Sequence, residues 1–320
     1  MSPKRLDQLP QLFRGPFLRK VACDSYYSEL VERLDHAGIL ELLDCSLADI
    51  FTEIYALLMK SYRCEYVYKN SLALRWLTES SHFGQSFVTD EFRVGKNRVD
   101  LAIFADFTRA YEIKSEYDST LRLPSQTTEY AKVFDRVYVV TSDRLKGKFT
   151  TDLPQNIGII TLNERGEFLK ARESKSHAQQ TNLSVAFDCL RRSEMVAIVE
   201  SITKSLIDVP TSLIYAECKS KFRRLLPFDA QRLIAEQIRN RRYSTASEEL
   251  LRVVPEALKH AALTIRASNS EMKRLQCALA EKPRPHQKPI PKDKAKPHYE
   301  NILPLFQRQT KRVARVEVPC

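Results

Sequence analysis

Two carboxylates and an ammonium stand on neighbouring apolar segments, in Arg98-Val99-Asp100 and Tyr111-Glu112-Ile113-Lys114. Carboxylate oxygens are what a hard cation such as Mg²⁺ takes as ligands, and a backbone carbonyl such as that of Ile113 can add another. A cation held there would lower the pKa of a bound water and steady charge growing on a phosphate. A lysine beside it would orient that water or stabilise the pentavalent phosphorus. The candidates are therefore Asp100, Glu112 and Ile113 for metal, with Asp100, Glu112 and Lys114 as the reacting set. On these residues alone, a solvated strand face explains the spacing as well.

The surrounding pattern supplies the elements. Residues 24–63 read as helices, with apolar positions 47, 50, 51, 54 and 58 forming one stripe. A further helix is expected from about 62 to 78. Residues 86–94, 98–104 and 109–115 read as three strands, the first two joined by the turn Gly95-Lys96-Asn97. Residues 121–134 read as a helix beginning near Pro124. Arg136–Thr141 and Ile157–Leu162 are short β-branched runs typical of buried parallel strands. This order predicts a mixed central sheet with helices on both faces, in the α/β class.

Strand parity makes a sharper prediction. Glu112 and Lys114 share a face because side chains alternate. Asp100 joins that face if it pairs with 112 or 114, which requires an odd-length loop around Asp106-Phe107-Thr108. The helix that follows carries Gln126 and Tyr130 at i and i+4. They can reach a phosphate or a catalytic carboxylate, and Tyr130 can equally be a core residue.

Together, Asp100, Glu112-Ile113-Lys114 and Gln126 to Tyr130 resemble the PD-(D/E)XK nuclease superfamily, especially its RecB-like QxxxY branch. Val99 stands where the name-giving proline would be. Glu91 to Asp100, Tyr111 to Asp118, Val133 to Val137 and the upstream Glu65-Tyr66-Val67-Tyr68-Lys69-Asn70 are similar to a bacterial family of largely uncharacterised nuclease-like proteins. Leu190-Arg191-Arg192-Ser193-Glu194-Met195 is similar to that family's C-terminal half. The resemblance implies a restriction-endonuclease-like fold and a metal-dependent nuclease using Mg²⁺ (or Mn²⁺). Its substrate would be nucleic acid, with DNA expected, in bacterial phage defence, mobile-element biology or repair. It implies metal binding by Asp100 and Glu112, water positioning by Lys114, a supporting carboxylate at Glu65, and substrate contact by Gln126 and Tyr130. Glu53 and Glu91 rival Glu65, and Glu65 with Lys69 also fits a surface ion pair. A non-cleaving nucleic-acid-binding module and a partner-dependent effector stay open.

Other features narrow the classes. Glu116 and Asp118 could draw metal, and Asp118-Ser119-Thr120 more simply caps the next helix. Seven cysteines are scattered without zinc-like spacing, and six histidines are dispersed. There is no GxxxxGK[ST] loop. No apolar run reaches the length of a membrane span and the N-terminus lacks a signal-like core, so a cytoplasmic protein is expected. Of the net charge of +11, +6 falls in residues 281–320, leaving +5 for the rest. The expected division is an N-terminal helical region (1–60), a nuclease-like core (61–168), a helical C-terminal domain (182–278) and a basic Pro/Lys-rich tail (281–320). The helical part could dock a protein partner or a second copy. The arginines at 223, 224, 239, 241 and 242 could meet phosphates or simply be solvated.

Overall fold

Apolar stripes at helical spacing build the first half of the chain. A 3₁₀ turn, Leu9–Phe13, leads into α1 (Gly15–Asp24), α2 (Ser28–Ala37), α3 (Leu47–Ser61) and α4 (Glu65–Glu79). Ser46 starts α3 by accepting a hydrogen bond from the Asp49 N–H at 3.2 Å. The stripe Leu47, Ile50, Phe51, Ile54 and Leu58 is fully buried, as expected. The computed structural model describes residues 5–24, 27–79, 86–241 and 244–283. Residues 284–320 of the expected basic tail, and Arg242, lie outside the described residues.

The strands follow as β1 (Phe87–Val94), β2 (Asn97–Phe104), β3 (Thr108–Lys114), β4 (Arg136–Ser142), β5 (Gly158–Leu162) and β6 (Phe168–Arg172). They form one six-stranded mixed sheet in sequence order. β1–β2, β2–β3 and β5–β6 are antiparallel, while β3–β4 and β4–β5 are parallel. Gly95, at φ 58°, makes the β1–β2 turn that its lack of a Cβ permits. Gly158 is demanded by packing, since a Cβ there would lie 2.3 Å from the Tyr138 ring. The parallel strands carry helical crossovers: α5 (Leu123–Ala131) between β3 and β4, and α6 (Lys146–Asp152) between β4 and β5. β6 overlaps the start of residues 170–181, whose polar sequence reads as a linker between two parts of the chain. It is an edge strand with mostly exposed or half-exposed residues, so its sequence lacks an apolar alternation.

The remaining helices are α7 (Leu183–Phe187), α8 (Arg192–Thr203), α9 (Ile214–Phe222), α10 (Pro227–Arg239), α11 (Thr245–Val253), α12 (Lys259–Thr264) and α13 (Asn269–Ala280). They divide between two cores. One sheet face, with Leu101, Ile103, Tyr111, Ile113 and Val140, packs against α1–α4 and α11–α13. The other, with Ala102, Phe104, Ala110, Val137 and Val139, packs against α5–α10. The N-terminal helices and α11–α13 therefore share a core on one face. The anchor is α4: Tyr66 Oη donates to Ala257 O at 2.7 Å, and Asn70 bridges Glu256 O and the His260 N–H, each at 2.9 Å. Leu190 to Met195 also serves the fold. The Glu194 carboxylate accepts from the Arg191 N–H at 2.7 Å and pairs with Arg241 at 2.6 Å. That pair is buried, so Arg241 is a structural cation.

Candidate metal centre

The β2–β3 register is Leu101↔Tyr111 through Phe104↔Thr108, leaving the three-residue loop Ala105-Asp106-Phe107. The loop is odd, as the parity argument requires. One step further, Asp100 stands level with Glu112. Its side chain does not simply share Glu112's face, however. β1 and β2 both change face at this point. Val88, Leu101 and Ile103 belong to one core, whereas Phe92 and Val99 belong to the other. The register is unchanged on either side (Asp90↔Leu101, Phe92↔Val99), so no residue is inserted. The reversal is taken up at Glu91, whose φ of 50° is a left-handed conformation unusual for a non-glycine residue. The Asp100 carboxylate consequently accepts the Ile113 N–H at 2.7 Å, standing in for a backbone acceptor where the strands part.

Glu65, at the first turn of α4, and Glu91 on β1 converge on Asp100. One oxygen from each lies within 4.8 Å of the others. Between them sits Lys69, whose side chain is only 8% exposed, with Nζ 2.6 Å from Glu65 and 3.4 Å from Glu91. Glu65 and Lys69 are thus the expected i,i+4 pair, with its cation buried against the cluster. Burial opposes the charge on Lys69, but the carboxylates of Glu65, Asp100 and Asp90 together outweigh it and the ammonium's pKa is raised. Asp100 is pushed up to about 8 by burial and by the neighbouring Glu112. Burial and the like-charged Glu112 and Glu65 thus outweigh the nearby Lys69 ammonium and the Ile113 N–H.

Glu112 lies on the other side of Asp100, 1% exposed. Its oxygens are occupied: Lys114 Nζ donates to Oε1 at 2.9 Å and Tyr130 Oη donates to Oε2 at 2.9 Å. The same single hydroxyl proton is shared with Arg98 O, 2.6 Å from Tyr130 Oη, tying α5 to β2. Burial raises the Glu112 pKa, while Lys114, Tyr130 and Gln126 pull against it. Gln126 leaves its own buried Oε1 without a partner among the described residues, an acceptor facing an unmet need. Tyr130 is both of the things the sequence allowed, a core residue and a ligand of the acidic centre.

Residue chemistry fits a divalent metal. The donor set is oxygen only, three carboxylates can meet at one point, and at Asp100 burial and the neighbouring Glu112 outweigh the Lys69 ammonium. Glu91 is the third member, where the sequence favoured Glu65 and kept Glu91 as a rival. Glu112 is taken up by Lys114 and Tyr130, and Ile113 is engaged through its N–H. Glu53 is exposed on α3 and outside the cluster. Glu116 pairs with Arg144 at 3.5 Å. Asp118 does not cap α5. It accepts from the Ser115 N–H at 2.8 Å, and α5 begins after Arg122 with no side-chain cap. His260 was missed because a dispersed histidine carries no local signal. It is buried near Asp90, and burial with the nearby Lys69 lowers its pKa to about 3.

Comparison with known proteins places these residues in a family. The profile of "Bacteriophage P4 protein cII" matches residues 59–267, which span α4, the whole sheet and the helices through α12. Protein cII of Enterobacteria phage P4 is 20% identical over 185 residues, covering 56% of this chain and 69% of the phage protein. No solved structure matches. The assignment to the PD-(D/E)XK superfamily is thereby overturned, because the profile that matches across Asp100, Glu112, Lys114, Gln126 and Tyr130 is the phage one. The misleading motif is short. A half-buried meander followed by a helix meets its spacing for reasons of packing alone, so it carries little family information. The α/β expectation of a mixed sheet between helices stands. Matched over more than half of its length, the chain belongs to the bacteriophage P4 protein cII family.

Proposed function

We propose that the chain is a metal-dependent nuclease that hydrolyses phosphodiester bonds of nucleic acid, with DNA as the substrate. In this reading the sheet is restriction-endonuclease-like in arrangement, a likeness of architecture rather than of family. The observation that carries it is the meeting of Glu65, Glu91 and Asp100 beside the buried Glu112–Lys114 pair. Glu65, Glu91 and Asp100 would hold Mg²⁺ or Mn²⁺, with the Ile113 carbonyl as a further donor. When bound, the metal supplies Lewis acidity and a more acidic water. Glu112 fixes the Lys114 ammonium, which positions the attacking water and faces the charge that develops on phosphorus. Tyr130 keeps Glu112 in place, and the free Gln126 Oε1 accepts from water or substrate.

A second reading, a non-cleaving nucleic-acid-binding or partner-dependent module, has one observation in its favour. Lys69 already neutralises Glu65 and Glu91 from within the protein. The two readings part in a cleavage assay with plasmid and single-stranded DNA in Mg²⁺ or Mn²⁺. Wild-type protein should cut and Lys114→Ala should not. Equal cutting by the variant would sink the assigned centre, and no cutting by either favours the second reading.

A further inference from the structure

A cleft of about 550 Å³ opens beside the carboxylates, between the chain's first turns, α4, the Ser115–Asp118 turn and α12. Its charge is the first clue. Among the described residues, Asp7, Glu65, Asp90, Glu91 and Asp118 line it against only Arg14 and Lys69. A double helix presents about one negative charge per 1.7 Å of axis, and such walls repel it. A group entering this cleft must be neutral, with anionic parts left to a bound cation.

The second clue is aromatic. Tyr117 is 56% exposed and is backed by Tyr62, with ring centroids 4.8 Å apart and planes tilted by 32°. The third is polar. His260 is 5% exposed, lines the cleft, and has no hydrogen-bond partner at either ring nitrogen among the described residues. Its nearest acidic oxygen, on Asp90, is 3.9 Å away. Buried polar groups are rarely left unpaired without a ligand or water to serve them. A flat, neutral heterocycle with donors and acceptors on its edge answers all three features.

We propose that this cleft receives an unpaired nucleobase, stacked on Tyr117 and read at its edge by His260, so that the substrate is single-stranded or locally unpaired nucleic acid. The substrate class rests on the nuclease reading above, whereas base binding does not. The test is fluorescence anisotropy with the Lys114→Ala protein in Mg²⁺, using a labelled single-stranded DNA and the same sequence as a hairpin-closed duplex. The single strand should bind at least about tenfold tighter, the scale of one base stacked on an aromatic ring. Adding Tyr117→Leu should remove about tenfold of that affinity, and Tyr117→Phe should keep it. Tyr117 is exposed enough that neither change threatens folding. Equal affinity for the two DNAs, no single-strand binding, or an inert Tyr117→Leu overturns the proposal. Cutting of both DNAs by wild-type protein is scored separately. If neither is cut, only the nuclease reading falls, and anisotropy still decides the cleft.

Discussion

Replacing Asp100 with asparagine separates folding from metal binding. Asparagine keeps an oxygen for the Ile113 N–H, now met at 2.7 Å, but carries no charge. In the wild type, burial and Glu112 push the Asp100 carboxyl from 3.8 up to about 8. Between these values the folded chain holds a proton that the unfolded chain has lost. Stability therefore falls as pH rises through this window, by up to about 1.4 kcal/mol per pH step. From pH 5 to pH 7 the Asp100 contribution is roughly 3 kcal/mol. Glu112, also raised by burial, moves the same way. Asp100→Asn stays uncharged at every pH, so it should gain roughly 3 kcal/mol on wild type between pH 5 and pH 7 and be the more stable protein at pH 7. Urea unfolding followed by circular dichroism, in chelator, at pH 5, 6 and 7 reads this difference. Calorimetric titration with Mn²⁺ should show the opposite sign, with affinity falling at least about tenfold. A variant that is less stable than wild type at pH 7, or that binds Mn²⁺ equally well, would refute the reasoning.

Three further outcomes are expected. Mn²⁺ affinity of the wild type should rise by up to about tenfold per pH step between pH 6 and 8, because Asp100 must release its proton to bind; a flat profile by calorimetry contradicts this. Tyr130→Phe removes the one hydroxyl proton that Glu112 Oε2 and Arg98 O share, which should cost about 1–3 kcal/mol in urea unfolding, and an unchanged midpoint would show that the tie is dispensable. Gly158→Ala drives a methyl into the Tyr138 ring and should destabilise by about 1–3 kcal/mol without altering Mn²⁺ affinity measured on the folded protein.

Much of this arrangement is legible in local pattern. The period-3.6 stripe of α3, the β-branched runs of β4 and β5 and the three-strand meander are short-range signals, and the elements form where those signals lie. The β2–β3 loop is odd, as expected from placing Asp100 level with Glu112, although the Asp100 side chain does not simply share that face. The placement of Tyr130 against Glu112 needed only the i,i+4 step from Gln126 and a helix packed on the sheet. β6 and the short α6 were not legible. An edge strand and a two-turn helix bury too little to impose a period.

Tertiary structure decided what the carboxylates face. Alternation predicts one face for Asp100, Glu112 and Lys114, but the left-handed Glu91 turns β1 and β2 over and sends Asp100 between the strands. Such a conformation is unfavourable locally and persists only because the surrounding pairing and both cores enforce it. The division of the C-terminal helices between the two faces, the burial of Lys69 among carboxylates and the approach of His260 from α12 likewise depend on contacts between distant residues. Residue types and spacings set the elements and supplied Asp100, Glu112 and Lys114. The acidic centre with Glu65 and Glu91 exists only once long-range packing brings α4, β1 and β2 together, because no local period relates residues 65, 91 and 100.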